Sequence, residues 1–278
     1  MVDLISVVVS TYNREDALDA VLRSLSRQTD RQFEVVVADD GSGAATTRVI
    51  EGWSPRMPVT LKHVWHQDRG FRLAEIRNRA ILASAGSYCI FLDGDCLVRA
   101  DFVAAHRDLA EPGCFVTGNR VQLSQKLSRR ILAERLEAET WRIGDRVAQR
   151  IRGEVNRFLP LLRLPLGPLR KRVGRRWRGA QGCNMAFFRA DLERVDGFDA
   201  AFTGWGREDS DMFVRLIRSG VRRKDGRHAT TVLHLWHPES DRLQLPGNQE
   251  KLDLLLRGQR VRASQGLSAL SKELGHSR

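Results

Sequence analysis

Strand and helix patterns alternate through the first hundred residues, which predicts an α/β fold on a mostly parallel sheet flanked by helices. Two further observations shape that reading. The strand patterns end in acidic or polar turns, and a parallel sheet binds its ligands at such ends. A strongly basic amphipathic stretch then interrupts the pattern, which returns near Gln181.

The run over residues 4–9 is unbroken and rich in β-branched residues, as in a strand buried on both faces. With no basic leader and no small-residue cleavage site, it reads as a strand and not as a signal peptide. Residues 14–28 carry Ala17, Leu18, Val21, Leu22 and Leu25 at helical spacing, with Asn13 as the expected N-cap. A second strand is expected over 33–38, a short helix over 44–51 and a third strand over 59–65. A helix over 73–83 and a fourth strand over 88–92 follow, joined by right-handed crossovers. Beyond Gln181 come a strand ending at Phe188, a short helix over 189–195 and a helix that opens near Asp209 and runs through Met212, Phe213, Leu216 and Ile217. A strand over 229–235, a Leu-rich helix over 251–257 and a frayed polar tail complete the pattern.

At 278 residues and 42% hydrophobic content, the chain can bury a large core, and wholesale disorder is excluded. No stretch reaches the roughly 18 apolar residues that span a bilayer. Cys89, Cys96, Cys114 and Cys183 show no paired spacing and read as free cytosolic thiols, not as a zinc site. The net charge of +12 is local. Residues 126–178 hold sixteen Lys/Arg against five Asp/Glu, an excess of eleven. In that stretch Leu136, Ile143, Val147, Ile151 and Val155 recur about every four residues, predicting one amphipathic helix. It reads either as a solvated helix packed on the main domain or as an interfacial element, with Leu and Trp among lipids and arginines on anionic headgroups. No motif supports nucleic acid. The expected organisation is therefore 1–125, a basic insert 126–178, a second half 179–245 and a C-terminal segment 246–278.

The predicted strand ends hold Thr11, the pair Asp39 and Asp40, and Asp93 with Asp95. Gathered carboxylates repel one another unless a cation or a donor-rich ligand is present. Carboxylates two residues apart on a turn, as in Asp93-Gly94-Asp95, suit Mg²⁺ or Mn²⁺ with substrate phosphates. Downstream, Gly204-Trp205-Gly206 precedes Glu208, Asp209 and Asp211, with His234 and His237 beyond. Trp205 offers an apolar face for a sugar, and a positioned carboxylate beside it suits general-base work on a hydroxyl. The plain alternative is a Gly-rich turn with an acidic helix cap.

These motifs, taken in order from Val7 to Asn13, Val35 to Ser42, Asp93 to Asp95 and Gly204 to Asp209, resemble the inverting family 2 glycosyltransferases of the GT-A fold. The run from Gln67 to Asn78 is similar to bacterial chondroitin-polymerase-type enzymes, and Gly204 to Asp211 to the beta-4 galactosyltransferases. The resemblance covers roughly residues 4–120 and 180–240 and leaves out the basic insert. It implies that Thr11 and Asp39 line a nucleotide-base pocket, with Asp39, or alternatively Asp40, accepting from the uracil N3–H. Arg77 would hold the donor nucleotide or its phosphates, and Asp93 would face the ribose or donor sugar. Asp95 and His237 would bind Mn²⁺ or Mg²⁺, with His234 where the galactosyltransferases have methionine. Asp209 would be the general base, Glu208 would hydrogen-bond a sugar, Trp205 would stack on one, and Asp211 would be a helix-end charge. Two positions depart from the pattern. Ser10 stands where proline is common, and Arg207 stands where glycine is frequent, either meeting an anionic acceptor or narrowing the pocket.

The implied activity is metal-dependent, inverting transfer of a hexose or N-acetylhexosamine from a UDP-sugar to a glycan or glycolipid, in bacterial surface polysaccharide synthesis. The expected setting is cytoplasmic, peripheral on the inner face of an anionic membrane through 126–178, without nucleic acid. The other readings are a basic membrane- or RNA-binding protein on an inactive scaffold and, lower in rank, a sugar nucleotidyltransferase. The last usually carries a Gly-rich phosphate loop after its first strand, where this chain has Ser10 to Glu15.

Overall fold

The computed structural model describes residues 2–239 and 241–275. In chain order the first half comprises β1 (Ile5–Thr11), α1 (Glu15–Ser26), β2 (Phe33–Asp39), α2 (Ala44–Trp53), β3 (Leu61–Trp65), α3 (Leu73–Ala83), β4 (Tyr88–Asp93), β5 (Cys96–Leu97), α4 (Phe102–Leu109), β6 (Cys114–Thr117) and β7 (Arg120–Gln122). The basic segment holds α5 (Gln125–Ala133) and α6 (Ile143–Ile151). Then come β8 (Asn184–Phe188), α7 (Arg189–Arg194), α8 (Glu208–Arg218), β9 (Arg222–Asp225), β10 (Val232–His234), α9 (Leu245–Arg257) and α10 (Leu267–Glu273).

The main sheet has seven strands in the order β3-β2-β1-β4-β8-β6-β9. Only β8 runs against the others, being antiparallel to both β4 and β6. Alternate side chains explain the unbroken apolar runs. Val7, Val9, Val35, Val37, Ile90 and Leu92 meet Leu18, Leu22, Ile50 and Trp53 from α1 and α2. Val8, Val36, Cys89 and Phe91 meet Ile76, Ile81, Leu192 and Phe213 from α3, α7 and α8 on the other face. Both faces are covered, so neither needs polar residues. A smaller sheet, β5-β10-β7, stands beyond the first.

Several sequence expectations change. Asn13 does not cap α1. It adopts φ 45°, its Oδ1 accepts from Gly43 N at 3.0 Å, and its own N–H donates to Ser42 Oγ at 2.8 Å. The side chain thus ties the ends of β1 and β2 together and is not free for the helix. The single helix expected in the basic segment is two. The chain turns at Arg135 and Gly153, both at positive φ, and Val155 forms a bridge with Leu123. Prolines keep the rest in short 3-10 turns, Leu159–Leu161 and Gly167–Val173.

The boundary expected at 126 falls inside α5, whose Leu127 and Ile131 are buried in the core. Trp141 and Trp177 are partly buried against the core and are not displayed for lipid. Arg170 is buried too, donating to the carbonyls of Asp225, Arg227 and Leu164. α6 has no buried residue at all. At the C-terminus the expected frayed tail instead forms α10, anchored by Leu267 N to Asp196 O and Ser268 N to Asp196 Oδ1 at 2.9 and 2.8 Å. Residues 276–278 of that tail lie outside the described residues. The four cysteines are free and buried, and no described helix is long and apolar enough to cross a membrane.

Asp211 is not a helix-end charge facing solvent. It pairs with Arg215 at 2.6 Å, both side chains being fully buried, and Arg215 also donates to Val195 O and Gly197 O. Removing one partner of such a pair strands the other in the core. Asp211→Ala is therefore expected to lower the unfolding free energy by about 3–5 kcal/mol in chemical denaturation. A loss below about 1 kcal/mol, the range of exposed pairs, would deny the pair a structural role.

Candidate active site

The register of the sheet brings the polar strand ends into line. Thr11 lies opposite Asp39, and Ser10 opposite Asp93. Their edge opens into a cleft of about 1040 Å³. Thr11 borders it with a buried Oγ1 that has no hydrogen-bond partner. Asp40 borders it as well, held by His66 Nε2 at 2.7 Å and by Arg72 N at 2.9 Å.

Asp39 does not reach the cleft. It is fully buried, accepts from Ser42 N at 2.8 Å and lies 3.0 Å from His63 Nε2. Burial opposes its ionisation, but the His63 and Ser42 hydrogen bonds win and hold its carboxyl below the usual range. Of the two adjacent aspartates, then, Asp40 is the one available to a ligand.

Arg77, expected to hold the donor nucleotide or its phosphates, borders the cleft and at the same time faces protein carboxylates. Its guanidinium is 1% exposed. Nη2 donates to Asp93 Oδ1 at 3.1 Å, Nη1 lies 3.6 Å from Glu208 Oε1, and Nε donates to Ser10 Oγ at 3.3 Å. The residue links the end of β4 to the start of α8.

Asp95, His234 and His237 come together, their ligand atoms all within 4.8 Å of one another. His234 Nε2 is 3.5 Å and His237 Nε2 3.3 Å from the Asp95 carboxylate. The small sheet causes this. β10 pairs antiparallel with β5, setting His234 opposite Cys96, and Leu235 N donates to Asp95 O at 2.9 Å. Burial lowers the pKa of His234, with Asp95 opposing, and this favours the neutral ring that binds metals. His237 Nδ1 lies 2.6 Å from Pro238 O, so a proton there leaves Nε2 free as a ligand.

The Gly-Trp-Gly turn uses left-handed backbone at Gly204 (φ 71°) and Gly206 (φ 101°), which glycine adopts freely. It exposes Trp205 to the cleft at 39%. Arg207 is also left-handed, at φ 79°, which costs a residue with a Cβ roughly 1–2 kcal/mol. α8 then starts at Glu208, one residue before the expected Asp209. Glu208 is buried against Arg77, and its Oε2 lacks a partner. Asp209 borders the cleft with Oδ1 accepting from Ser210 N at 2.6 Å. A Cβ at Gly182 would stand 2.8 Å from Asp209 Oδ2, so only glycine leaves that oxygen room.

Sequence reading missed several supports. His66 holds Asp40, Gly182 shapes the space beside Asp209, and buried Asn248 of α9 donates to Thr203 O and Gly206 O, clamping the turn. Arg120 on β7 borders the cleft beside Asp93. None lies near its partner in sequence.

The family model described as Glycosyl transferase family 2 matches residues 6–195, and that for the N-terminal domain of galactosyltransferase matches residues 170–238. Validoxylamine A glucosyltransferase of Streptomyces hygroscopicus subsp. limoneus is 32% identical over 234 residues, covering 79% of this chain and 49% of that protein. Chondroitin synthase of Escherichia coli is 27% identical over 236 residues, covering 79% and 33%. This chain thus spans half or less of the length of these relatives. Among solved structures, the mannosyltransferase PcManGT from Pyrobaculum calidifontis, in complex with GDP-Man and Mn²⁺, gives a TM-score of 0.58 at 18% identity, covering 99% of this chain and 76% of that one. S. aureus TarS in complex with UDP-GlcNAc gives 0.58 at 14%, covering 99% and 73%. At these identities the structural likeness is one of fold.

The surroundings of Glu208 fix a pH dependence. Burial first, then the neighbouring Asp209 charge, push its carboxyl from 4.5 up to about 7, with Arg77 opposing. The folded chain therefore keeps a proton that the unfolded chain has lost, and stability falls as pH rises through about 7. Glu208→Gln removes that loss. Relative to the native chain it should gain stability between about pH 5 and 8, by on the order of 2–3 kcal/mol, in denaturation without added metal or nucleotide. A difference that stays flat with pH would mean that Glu208 titrates as an ordinary carboxylate.

Proposed function

The chain belongs to glycosyl transferase family 2 and has the GT-A fold, and from that premise we propose that it transfers a hexose or N-acetylhexosamine from a UDP-sugar to a glycan or glycolipid hydroxyl, with inversion. One observation carries this reading. A single cleft joins the Asp95, His234 and His237 cluster to Asp209 through a continuous line of contacts, Asp93 to Arg77 to Glu208.

At the β1 and β2 ends, Thr11 and Asp40 receive the base. Asp40, oriented by His66 and the Arg72 amide, accepts from the uracil N3–H. Asp93 meets the ribose or the donor sugar. Asp95, His234 and His237 fit Mn²⁺ or Mg²⁺. One carboxylate and two imidazoles within 4.8 Å of one another suit metal–ligand bonds of about 2.1 Å, and the imidazoles favour Mn²⁺. Such an ion, when bound, neutralises the departing diphosphate.

Asp209 is the general base. Its Oδ2 takes the proton of the acceptor hydroxyl as that oxygen bonds to the anomeric carbon and the bond to the diphosphate breaks. One displacement from the opposite face inverts the centre. Glu208 suits this role less well, since it is buried, faces Arg77 and holds its proton to about pH 7. It instead hydrogen-bonds a sugar, and Trp205 stacks on one.

The acceptor is met at the inner face of the cytoplasmic membrane, in surface polysaccharide synthesis, with residues 126–178 as the peripheral contact. α6 supports this. Ile143, Val147 and Ile151 form one face, 60%, 38% and 81% exposed, in the segment that carries most of the net positive charge.

With Mn²⁺ and a panel of UDP-sugars, slow release of UDP from one donor is expected, abolished by EDTA and by Asp95→Ala. With acceptor present, Asp209→Asn should lower kcat by about 10²–10⁴-fold, and Gly182→Ala should also slow turnover by displacing Oδ2. No release from any donor, together with no rise in Tm on adding UDP and Mn²⁺, would refute the reading. For the membrane contact, flotation should occur with anionic vesicles and not with neutral ones, and Ile151→Asp should weaken it. Equal flotation with both vesicle types, or none with either, would remove that part.

A further inference from the structure

The transfer outlined above gives no role to Arg207, which borders the cleft. Arg207 holds a left-handed backbone that glycine, found at Gly204 and Gly206 just before it, adopts without strain. Its Nε is buried without a hydrogen-bond partner. Among the described residues its guanidinium makes no ion pair, although Glu208 and Asp209 follow it directly. It borders the cleft two residues after Trp205. Arg242 lies over that same ring, its Cζ 5.1 Å from the centroid, and is tied to Glu239 at 2.9 Å. Arg242 thus attends the exposed aromatic ring, and Arg207 borders the same cleft between Trp205 and Asp209 in sequence.

Asp93, Asp95, Glu208 and Asp209 border the same cleft, and the buried Arg77 faces only Asp93 and Glu208 among them. Alone, these carboxylates would repel an anion and select a neutral sugar. An unpaired guanidinium reverses that selection locally, because its planar fork of donors matches the geometry of a carboxylate or a phosphate ester.

We propose that Arg207, seconded by Arg242, selects an anionic acceptor: a sugar seated on Trp205 that carries an oxyanion, either a uronic acid carboxylate or a phosphate ester. This rests on the assignment of Trp205 and Asp209 to the acceptor side. Arg120, beside Asp93, and a cation held by Asp95, His234 and His237 would supply separate counter-charges for the donor diphosphate.

Saturation-transfer NMR on the full chain with UDP and Mg²⁺ tests it. The probes are methyl β-D-glucuronide, glucose 6-phosphate and methyl β-D-glucoside, each to about 10 mM. At least one anionic probe should bind about ten-fold more tightly than the glucoside, and which one binds distinguishes carboxylate from phosphate. Arg207→Ala and Arg207→Gly should erase the difference, and Arg207→Lys should keep part of it. Arg207→Gly should also melt higher than the native chain, since it releases the left-handed strain, so lost binding there is not unfolding.

Equal binding of glucoside and anions, no binding of any probe, or a preference that survives in Arg207→Gly would overturn the proposal. So would a fall in UDP affinity in that variant, which would reassign the guanidinium to the donor. Failure of the native chain to bind UDP would instead defeat the transferase reading on which the proposal stands.

Discussion

A single buried guanidinium makes the cleft possible. Asp93, Asp95, Glu208 and Asp209 border one space, and like charges so placed repel strongly once water is thinned out around them. Arg77, on α3, sits inside the protein at 1% exposure and faces Asp93 on one side and Glu208 on the other. It also reaches Ser10 on β1 and, at 3.5 Å, the Gly182 carbonyl ahead of β8. Segments distant in sequence are thereby referred to one point. The position of Asp209 beside the strand ends depends on this cation, because Glu208 and Asp209 open the same helix.

The parallel half of the fold was legible because burial on both faces leaves a plain signature. Unbroken β-branched runs became β1 and β2, and Leu18, Val21, Leu22 and Leu25 at helical spacing became α1. Legibility fell where elements are short or paired at long range. The strand over 229–235 registered and became β10, but β5 and β7, with two and three residues, are too short for periodicity to register, and β5 pairs with β10 in the sheet that brings His234 to Asp95. The basic stretch misled because apolar spacing from Leu136 to Val155 ran on through the 3-10 turn at Ala138–Thr140 and the turn at Gly153, which bound α6 on either side. Asp39 and Asp40 could not be ranked from composition. Strand alternation offered a clue: Asp39 shares the parity of Val35 and Val37, which point into the core. Arg77 was read as a ligand contact, and it does border the cleft, but sequence does not reveal that it also holds Asp93 and faces Glu208.

The chemistry separates along the cleft. The β1 and β2 ends offer Thr11 and the oriented Asp40, the middle offers the two imidazoles and Asp95, and the far wall offers Asp209 beside Trp205. Each station is supplied by different elements, so each can vary without dismantling the others. Such separation fits a family whose relatives include a glucosyltransferase, a chondroitin synthase and a mannosyltransferase fold neighbour.

The small sheet carries a further consequence for how the chain matures. Asp95 and His234 are about 140 residues apart, so bringing them together closes a long loop whose entropic cost must be met before the contacts repay it. The strands β1 to β4, by contrast, need only neighbouring crossovers. Folding should therefore complete the β1–β4 edge early and the β5–β10 pairing late. A chain still emerging from synthesis would possess the β1–β4 edge but not the assembled Asp95, His234 and His237 cluster. A divalent ion that recognises only the closed arrangement would act as a latch on this final step, drawing the equilibrium toward the closed loop by mass action.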